Sequence, residues 1–310
     1  MILKAEPSDY LGRFREIVSD PLNILIERDA RSGLVEGDLV YLHNGHQVAV
    51  RGPLAYYDGF SDILVINRGV HEPLEEYVFQ QLMKVMPDRP CMIELGAYWG
   101  HYSMWLQRAR QASTTILVEP DDGNLAVGRA NFVRNGYHGE FVQAFVGHGH
   151  FSIDSFFEER QFSHLDILHS DIQGFEVEML PDGIETFRKH KIDYVFISTH
   201  SQNGHDFVWS TLQEYGYRIE VASDFERDTT SYDGLVFASS PKMKPLFSDF
   251  PNFGRQSIIN ASATKLVEVI NEMDDWLFQN MIRANQAVRC PAERLLLSKR
   301  RLHFRLSIES

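Results

Sequence analysis

Ile93-Glu94-Leu95-Gly96-Ala97-Tyr98-Trp99-Gly100 joins an apolar run, Cys91-Met92-Ile93, to a helix-like segment that begins at Tyr102. The order reads as strand, tight turn, helix N-terminus. Gly96 and Gly100 lack a Cβ, so the backbone is expected to pass close to a bound ligand there. The helix start offers N–H groups to polar ligand atoms. Glu94 sets this turn apart from a plain dinucleotide loop: its carboxylate would repel a pyrophosphate and suit a cationic amino group.

Working outward, the next apolar run, Thr115-Ile116-Leu117-Val118, ends in Glu119-Pro120. An acid that ends the second strand of such a unit is placed to accept hydrogen bonds from a ribose diol. A ligand with an ammonium group, a ribose and an adenine meets both demands, and S-adenosylmethionine is the expected cofactor. Glu94, Gly96, Ala97, Tyr98 and Gly100 would cradle its methionine part. Glu119 would take the ribose with Asn124 nearby, and Ser170 would lie beside the cofactor.

Apolar runs and amphipathic segments alternate from residue 89 to 245. Strands are predicted at 91–95, 115–119, 140–146, 165–171 and 193–200, and helices at 100–111, 122–135, 173–180 and 204–216. Alternation of this kind gives an α/β fold, a doubly wound, mostly parallel sheet. Arg218 to Ala222 and Gly234 to Ala238 add two final strands, expected to include an antiparallel edge pair. Residues 1–88 read as a β-rich lobe: one or two helices between Tyr10 and Ile26, a hairpin turning at His43-Asn44-Gly45-His46, a strand over Ile63–Ile66, and a lead-in helix from Pro73 to Met86. Residues 246–310 read as a helical extension. Its helix, Ala261 to Arg283, carries Leu266, Val269, Ile270, Met273, Trp276, Leu277 and Met281 on one stripe. That stripe serves either packing on the chain's own domain or a homodimer contact.

The 310 residues carry a formal charge of −13. That balance excludes nucleic acid as the main partner, since phosphate binding needs a basic face. The basic run Lys299 to Arg305 reads as a solvated terminus. Two cysteines, Cys91 and Cys290, imply no disulfide framework, and no signal-peptide pattern opens the chain. A cytoplasmic protein is expected. The apolar runs are strand-length, so no transmembrane segment is expected.

Ligand sites in such folds collect at the carboxyl ends of the strands. Asp171 ends the fourth core strand, and Glu176 opens the helix after it. His200 ends the fifth, and His205 follows. Asp171 and His200 are the catalytic candidates, either of them able to take a hydroxyl proton. Asp171, Glu176, His200 and His205 are also candidate ligands of a divalent ion such as Mg or Mn, which would lower the pKa of a bound hydroxyl. Tyr56, Tyr57, Phe60, Tyr98, Trp99, His101 and Trp209 could supply aromatic faces to a sugar ring.

Residues 91–240 resemble the FkbM family of S-adenosylmethionine-dependent O-methyltransferases. The resemblance rests on the turn at 93–100, Leu117-Val118-Glu119-Pro120, Ala130 to Gly136, Ile153-Asp154-Ser155-Phe156, Asp171-Ile172-Gln173-Gly174-Phe175-Glu176 and Tyr232-Asp233-Gly234-Leu235-Val236. Gln173 stands where the family usually has Glu, and the Gly147-His148-Gly149-His150 connection is short. The resemblance implies methyl transfer to a hydroxyl, with a small-molecule or glycan acceptor. The competing readings are an NAD-dependent enzyme on a similar fold, and a cofactor-binding protein without turnover. Glu94 and the missing third glycine weigh against NAD.

Overall fold

The computed structural model describes residues 10–56, 59–147, 149–226, 233–250, 261–269, 271–272 and 275–276. The chain divides into two units, Met1–Leu266 and Val267–Ser310, and the account below concerns the first.

Helix α1 (Tyr10–Ser19) precedes a small antiparallel sheet of β1 (Val35–Glu36), β2 (Leu39–Tyr41) and β3 (Gln47–Ala49). β2 and β3 pair through Val40 and Val48. The turn closes with Gly45 at φ 83°, its N–H donating to the Leu42 carbonyl at 2.9 Å. Helices α2 (Asp62–Ile66) and α3 (Pro73–Val85) follow.

The run Ile63–Ile66 was expected as a strand and is helical. Four apolar residues fit a strand and a buried helical turn equally well. Ile63 and Leu64, which a strand would send to opposite faces, are both fully buried, and the Asn67 N–H reaches the Ile63 carbonyl at 2.8 Å.

The alternating segment then runs β4 (Cys91–Leu95), α4 (His101–Ala109), β5 (Thr114–Glu119), α5 (Asp122–Asn135), β6 (Glu140–Gln143), α6 (Ile153–Glu159), β7 (Leu165–Ser170), α7 (Glu176–Asp182), α8 (Ile184–Arg188), β8 (Ile192–Thr199), α9 (Gln202–Glu214), β9 (Arg218–Ser223) and β10 (Gly234–Ser239). The sheet order is β6-β5-β4-β7-β8-β10-β9. β10 lies antiparallel between β8 and β9, and the other contacts between neighbouring strands are parallel. The strand order reverses direction between β4 and β7, and that point opens a crevice at the carboxyl ends of the strands.

Strand alternation divides the side chains between two faces. Ile93, Leu95, Ile116, Val118, Leu168 and Val195 join α7 and α9 in one apolar cluster. On the other side Leu117 joins Trp99, Met104 and Phe132, together with Phe14, Val40, Val48, Phe60 and Ile63 of the lobe. Each fully buried aliphatic or aromatic side chain of these clusters contributes about 1.5–3 kcal/mol. The lobe is therefore joined to the main sheet by a common core, and α1 comes within reach of the crevice.

Candidate functional site

Glycine is demanded at the head of the crevice for a reason the sequence did not reveal. A Cβ on Gly96, whose φ is +70°, would stand 1.8 Å from the Asp171 carbonyl oxygen. The turn after β4 and the turn after β7 are thus pressed against each other, with the Asp171 N–H donating to the Leu95 carbonyl at 2.9 Å. A Cβ on Gly100 would meet Phe132 of α5 at 2.8 Å. Both glycines make room for protein; Gly96 also borders the crevice, and Gly100 is not among the residues that line it. Tyr98 holds φ 41° and Gln173 φ 55°, left-handed backbone at two non-glycine positions of the crevice loops.

Two cavities meet at Asp171. The first, about 240 Å³, is lined by Gly96, Tyr98, Glu119, Pro120, Asn124, Phe145, Val146, Asp171, Ile172, Gln173 and Phe175. The second, about 280 Å³, shares Gly96, Tyr98, Asp171 and Gln173 with it and adds Ala97, Glu94 and His169. Tyr56, Phe60, Trp99, Tyr102, Arg13, His71, Glu72 and Asp233 complete its wall.

Glu119 ends β5 in the first cavity. It accepts from the Tyr98 N–H at 3.2 Å, the Asp121 N–H at 3.1 Å and the Asn124 side-chain amide at 3.1 Å. A carboxylate has about four lone-pair sites, so one acceptor site remains for a ligand hydroxyl. Glu94 is buried in β4 and accepts from the Ser103 N–H at 3.0 Å. It stands in register with His169 of β7. Burial raises the Glu94 pKa. Burial opposes charge on His169, but Glu75 of α3, 2.5 Å away, and Glu94 outweigh it and raise that pKa. Buried carboxyl groups and an imidazole whose protonated form is favoured thus face the second cavity.

The catalytic candidates do come together. His200 Nε2 lies 3.1 Å from Asp171 Oδ1, and its Nδ1 lies 3.6 Å from Glu176. Burial opposes charge on His200, but the two carboxylates outweigh it and raise its pKa to about 10. The reciprocal effect lowers Asp171 against its own burial. The Gln173 amide nitrogen stands 2.9 Å from both Asp171 Oδ1 and His200 Nε2. With Nε2 protonated, Gln173 donates to Asp171 alone, so the carboxylate is held from two sides.

The expected metal set is not gathered around one point. Asp171 and Glu176 face opposite nitrogens of the same imidazole, whose lone pairs diverge. His205 turns its Nδ1 to Thr199 at 3.1 Å and is buried. Ser170 is also buried, its hydroxyl without a hydrogen-bond partner, and it lines neither cavity. Asp166 belongs to the opposite end of the sheet, where it accepts from the Cys91 N–H at 2.7 Å.

Of the aromatic candidates, Tyr56, Phe60, Tyr98 and Trp99 line the second cavity, with Tyr56 stacked on Trp99 at 4.5 Å. His101 is buried behind Trp99, Trp209 is half-exposed on α9 away from both cavities, and Tyr57 and His148 lie outside the described residues. Arg13, His71, Glu72 and Asp233 were not foreseen. Glu72 and Asp233 have pKa values raised by burial, Glu72 to about 7. No motif marks Arg13, His71 or Glu72, while Asp233 lies in the Tyr232-Asp233-Gly234-Leu235-Val236 segment that carries the family resemblance. His169 also had a signal: it stands opposite Glu94 in the β4–β7 pairing.

Residues 149–219 match the family model described as the Methyltransferase FkbM domain. These residues form a methyltransferase domain of the FkbM type. The matched segment runs from the turn before α6 into β9, and so contains Asp171, Glu176 and His200 but neither the β4 turn nor Glu119. No curated protein matches the chain. Similar solved structures include a precorrin-6y C5,15-methyltransferase from Geobacter metallireducens, 13% identical over 53% of this chain and 87% of its own, with a TM-score of 0.39. M. capricolum TrmK, solved with S-adenosyl-homocysteine, is 13% identical over 75% of this chain and 97% of its own at 0.36. A ribosomal protein L11 methylase from Lactobacillus delbrueckii subsp. bulgaricus is 12% identical over 54% and 78% at 0.40. Likenesses at these scores carry no argument about the methyltransferase's acceptor. Among the described residues no helix is long and apolar enough to cross a membrane.

Proposed function

We propose that this methyltransferase moves a methyl group from S-adenosylmethionine to a hydroxyl of a sugar. The observation that carries the reading is the place of Asp171, at the junction of a cavity ending on Glu119 and a cavity walled by aromatic rings and carboxylates. The residues fit the cofactor. Glu119 keeps an acceptor site for a ribose hydroxyl, Pro120, Phe145, Val146 and Phe175 offer apolar walls to a base, and buried Glu94 suits an ammonium group. A dinucleotide would set its pyrophosphate against that acid. The rings of Tyr56, Phe60 and Trp99 suit the C–H face of a sugar, and Glu72 and Asp233 suit its hydroxyls.

Bound S-adenosylmethionine supplies an electrophilic methyl group on a sulfonium, and the S–CH₃ electron pair stays on sulfur. Asp171 is the proton acceptor for the attacking hydroxyl. Its carboxylate is ionised at neutral pH and faces both cavities. His200, an imidazolium between Asp171 and Glu176, lines neither cavity and acts through Asp171 as a positioning residue. No metal enters this reading.

Asp171→Asn keeps the shape and removes the base. Turnover should fall by roughly 10²-fold or more, with affinity for S-adenosylhomocysteine within a few fold. His200→Gln should lower kcat through misplacement of Asp171. Wild-type turnover in Asp171→Asn would sink the assignment, as would calorimetric binding of NAD in place of S-adenosylmethionine. Full activity after exhaustive chelation is expected of the transfer itself.

The stripe on Ala261 to Arg283 supports a homodimer. Residues 263–269 are helical, and most of the stripe lies outside the described residues. Light scattering at micromolar concentration should give twice the chain mass; a monomer removes the idea.

A further inference from the structure

Behind the second cavity lies a group of buried side chains that methyl transfer does not use. His43 comes from the turn after β2, Glu76 from α3, and His101 from the first position of α4. All three are about fully buried. His43 Nε2 lies 3.1 Å from Glu76 Oε2, and His101 Nε2 lies 3.8 Å from Glu76 Oε1. One donor atom from each residue falls within 4.8 Å of the other two.

The cluster is poorly explained as a hydrogen-bond network. Both nitrogens of His43, both nitrogens of His101 and Glu76 Oε2 have no hydrogen-bond partner in the described structure. His43 and Glu76 Oε2 stand within hydrogen-bond distance without hydrogen-bond alignment, His101 lies beyond it, and only Glu76 Oε1 is bonded, accepting from the His71 backbone N–H at 3.0 Å. Unpaired buried polar groups cost about 1–3 kcal/mol each, and five in one place is a heavy cost for packing alone. Burial pushes the His43 pKa down to about 4 and His101 well below the ordinary value, so both carry free lone pairs at neutral pH.

We infer that His43, Glu76 and His101 form a binding site for a divalent ion of the zinc class. Two imidazole nitrogens and one carboxylate are a set zinc accepts, with bonds of about 2.0–2.2 Å. Ligand atoms on a tetrahedron of that size stand about 3.3–3.6 Å apart; one donor atom from each residue already lies within 4.8 Å of the others, so a small closure would complete the set. Harder ions such as Mg and Ca prefer all-oxygen sets. A water would supply the fourth ligand: burial opposes charge on the neighbouring His71, but Glu72 and Glu76 outweigh it, raise its pKa and hold it as their own partner. His43 also lines a groove of about 680 Å³ with Asn44, Trp105 and Arg108, which gives an ion a way in.

The ion would tie three parts of the fold together: the lobe through His43, the lead-in helix through Glu76, and the crevice wall through His101. The His101 ring stacks on Trp99 with centroids 5.0 Å apart and planes 12° from parallel, and Trp99 lines the second cavity. The site stands independently of the acceptor and of the base.

The test uses untagged full-length protein, stripped with dipicolinate and titrated with Zn²⁺ and with Co²⁺. About one equivalent of zinc should bind, Tm should rise on loading and fall on stripping, and Co²⁺ should give the visible bands of a four-coordinate site. His43→Gln and His101→Gln should each weaken zinc by more than the roughly 10- to 100-fold that an outer partner is worth. His164→Ala breaks the other candidate group, exposed His164 with Asp166 and buried Asp193, and should leave the metal content unchanged. Should the buried variants fail to fold, the wild-type cobalt spectrum and His164→Ala still decide. Folded wild-type protein that takes up neither ion at micromolar concentration overturns the inference. So does zinc that is lost in His164→Ala, or retained in His43→Gln and His101→Gln.

Discussion

Glu119 shows how far one residue can be read from sequence. Its place at the end of an apolar run located it at the crevice, and its side chain lines the first cavity. Its other work was invisible, because the Tyr98, Asp121 and Asn124 donors it gathers are fixed by the turns and not by any pattern. Glu119→Ala should weaken S-adenosylhomocysteine by at least ~1.5 kcal/mol, the scale of a hydrogen bond to a charged group. Calorimetry on a folded variant with unchanged affinity would remove Glu119 from the cofactor site. Gly96 makes the complementary point. The residue type was legible and its reason was not, since the atom it avoids belongs to Asp171, far along the chain. Arg13 and Glu72 carry no pattern at all, and only the packing of the lobe brings them to the cavity.

At the scale of elements, the period of the hydrophobic pattern served long segments and failed short ones. α5, β5 and β8 are long enough for pattern and capping to agree. Asp121, for example, caps α5 by accepting from the Asn124 N–H at 2.8 Å. α2 is a single turn, and its apolar run has no period to read. α6 and α8 were not foreseen, and both are short. The segment Ile153-Asp154-Ser155-Phe156 nevertheless has a mechanical role. Asp154 of α6 accepts from the Glu185 and Thr186 N–H groups at 2.9 and 2.8 Å, at the open start of α8. It serves as that helix's cap from a neighbouring element. Asp154→Ala should cost about 1 kcal/mol of stability, as a lost cap does, with kcat little changed. Urea unfolding and a turnover assay check the two halves; a large loss of kcat at native stability would mean that Asp154 reaches the site.

At the scale of the whole molecule, His200 links the ends of β7 and β8 to the start of α7, and its protonation should show in the pH dependence of stability. Its pKa in the folded chain is raised from 6.5 to about 10. Between those values the folded chain keeps a proton that the unfolded chain has released. The stabilisation from the imidazolium is therefore fully present below pH 6.5 and is lost as pH rises through about 10. One proton sets an upper slope of roughly 1.4 kcal/mol per pH unit. Asp171 acts in the other direction. Its lowered pKa gives a contribution present above 3.8 that is lost as pH falls through the folded value. Denaturant unfolding of the wild type and of His200→Gln, repeated from pH 6 to pH 10, isolates the first contribution. The difference in stability should be greatest at pH 6 and shrink steadily toward pH 10. Asp171 stays ionised across neutral pH, so it should add no inflection to kcat/KM near 6.5; Glu72, whose pKa is raised to about 7, should give one there that Glu72→Gln removes. A difference in stability that does not change with pH, joined to an inflection near 6.5 that persists in Glu72→Gln, would mean that His200 is neutral in the folded chain. The base would then be the imidazole, with Asp171 as its support.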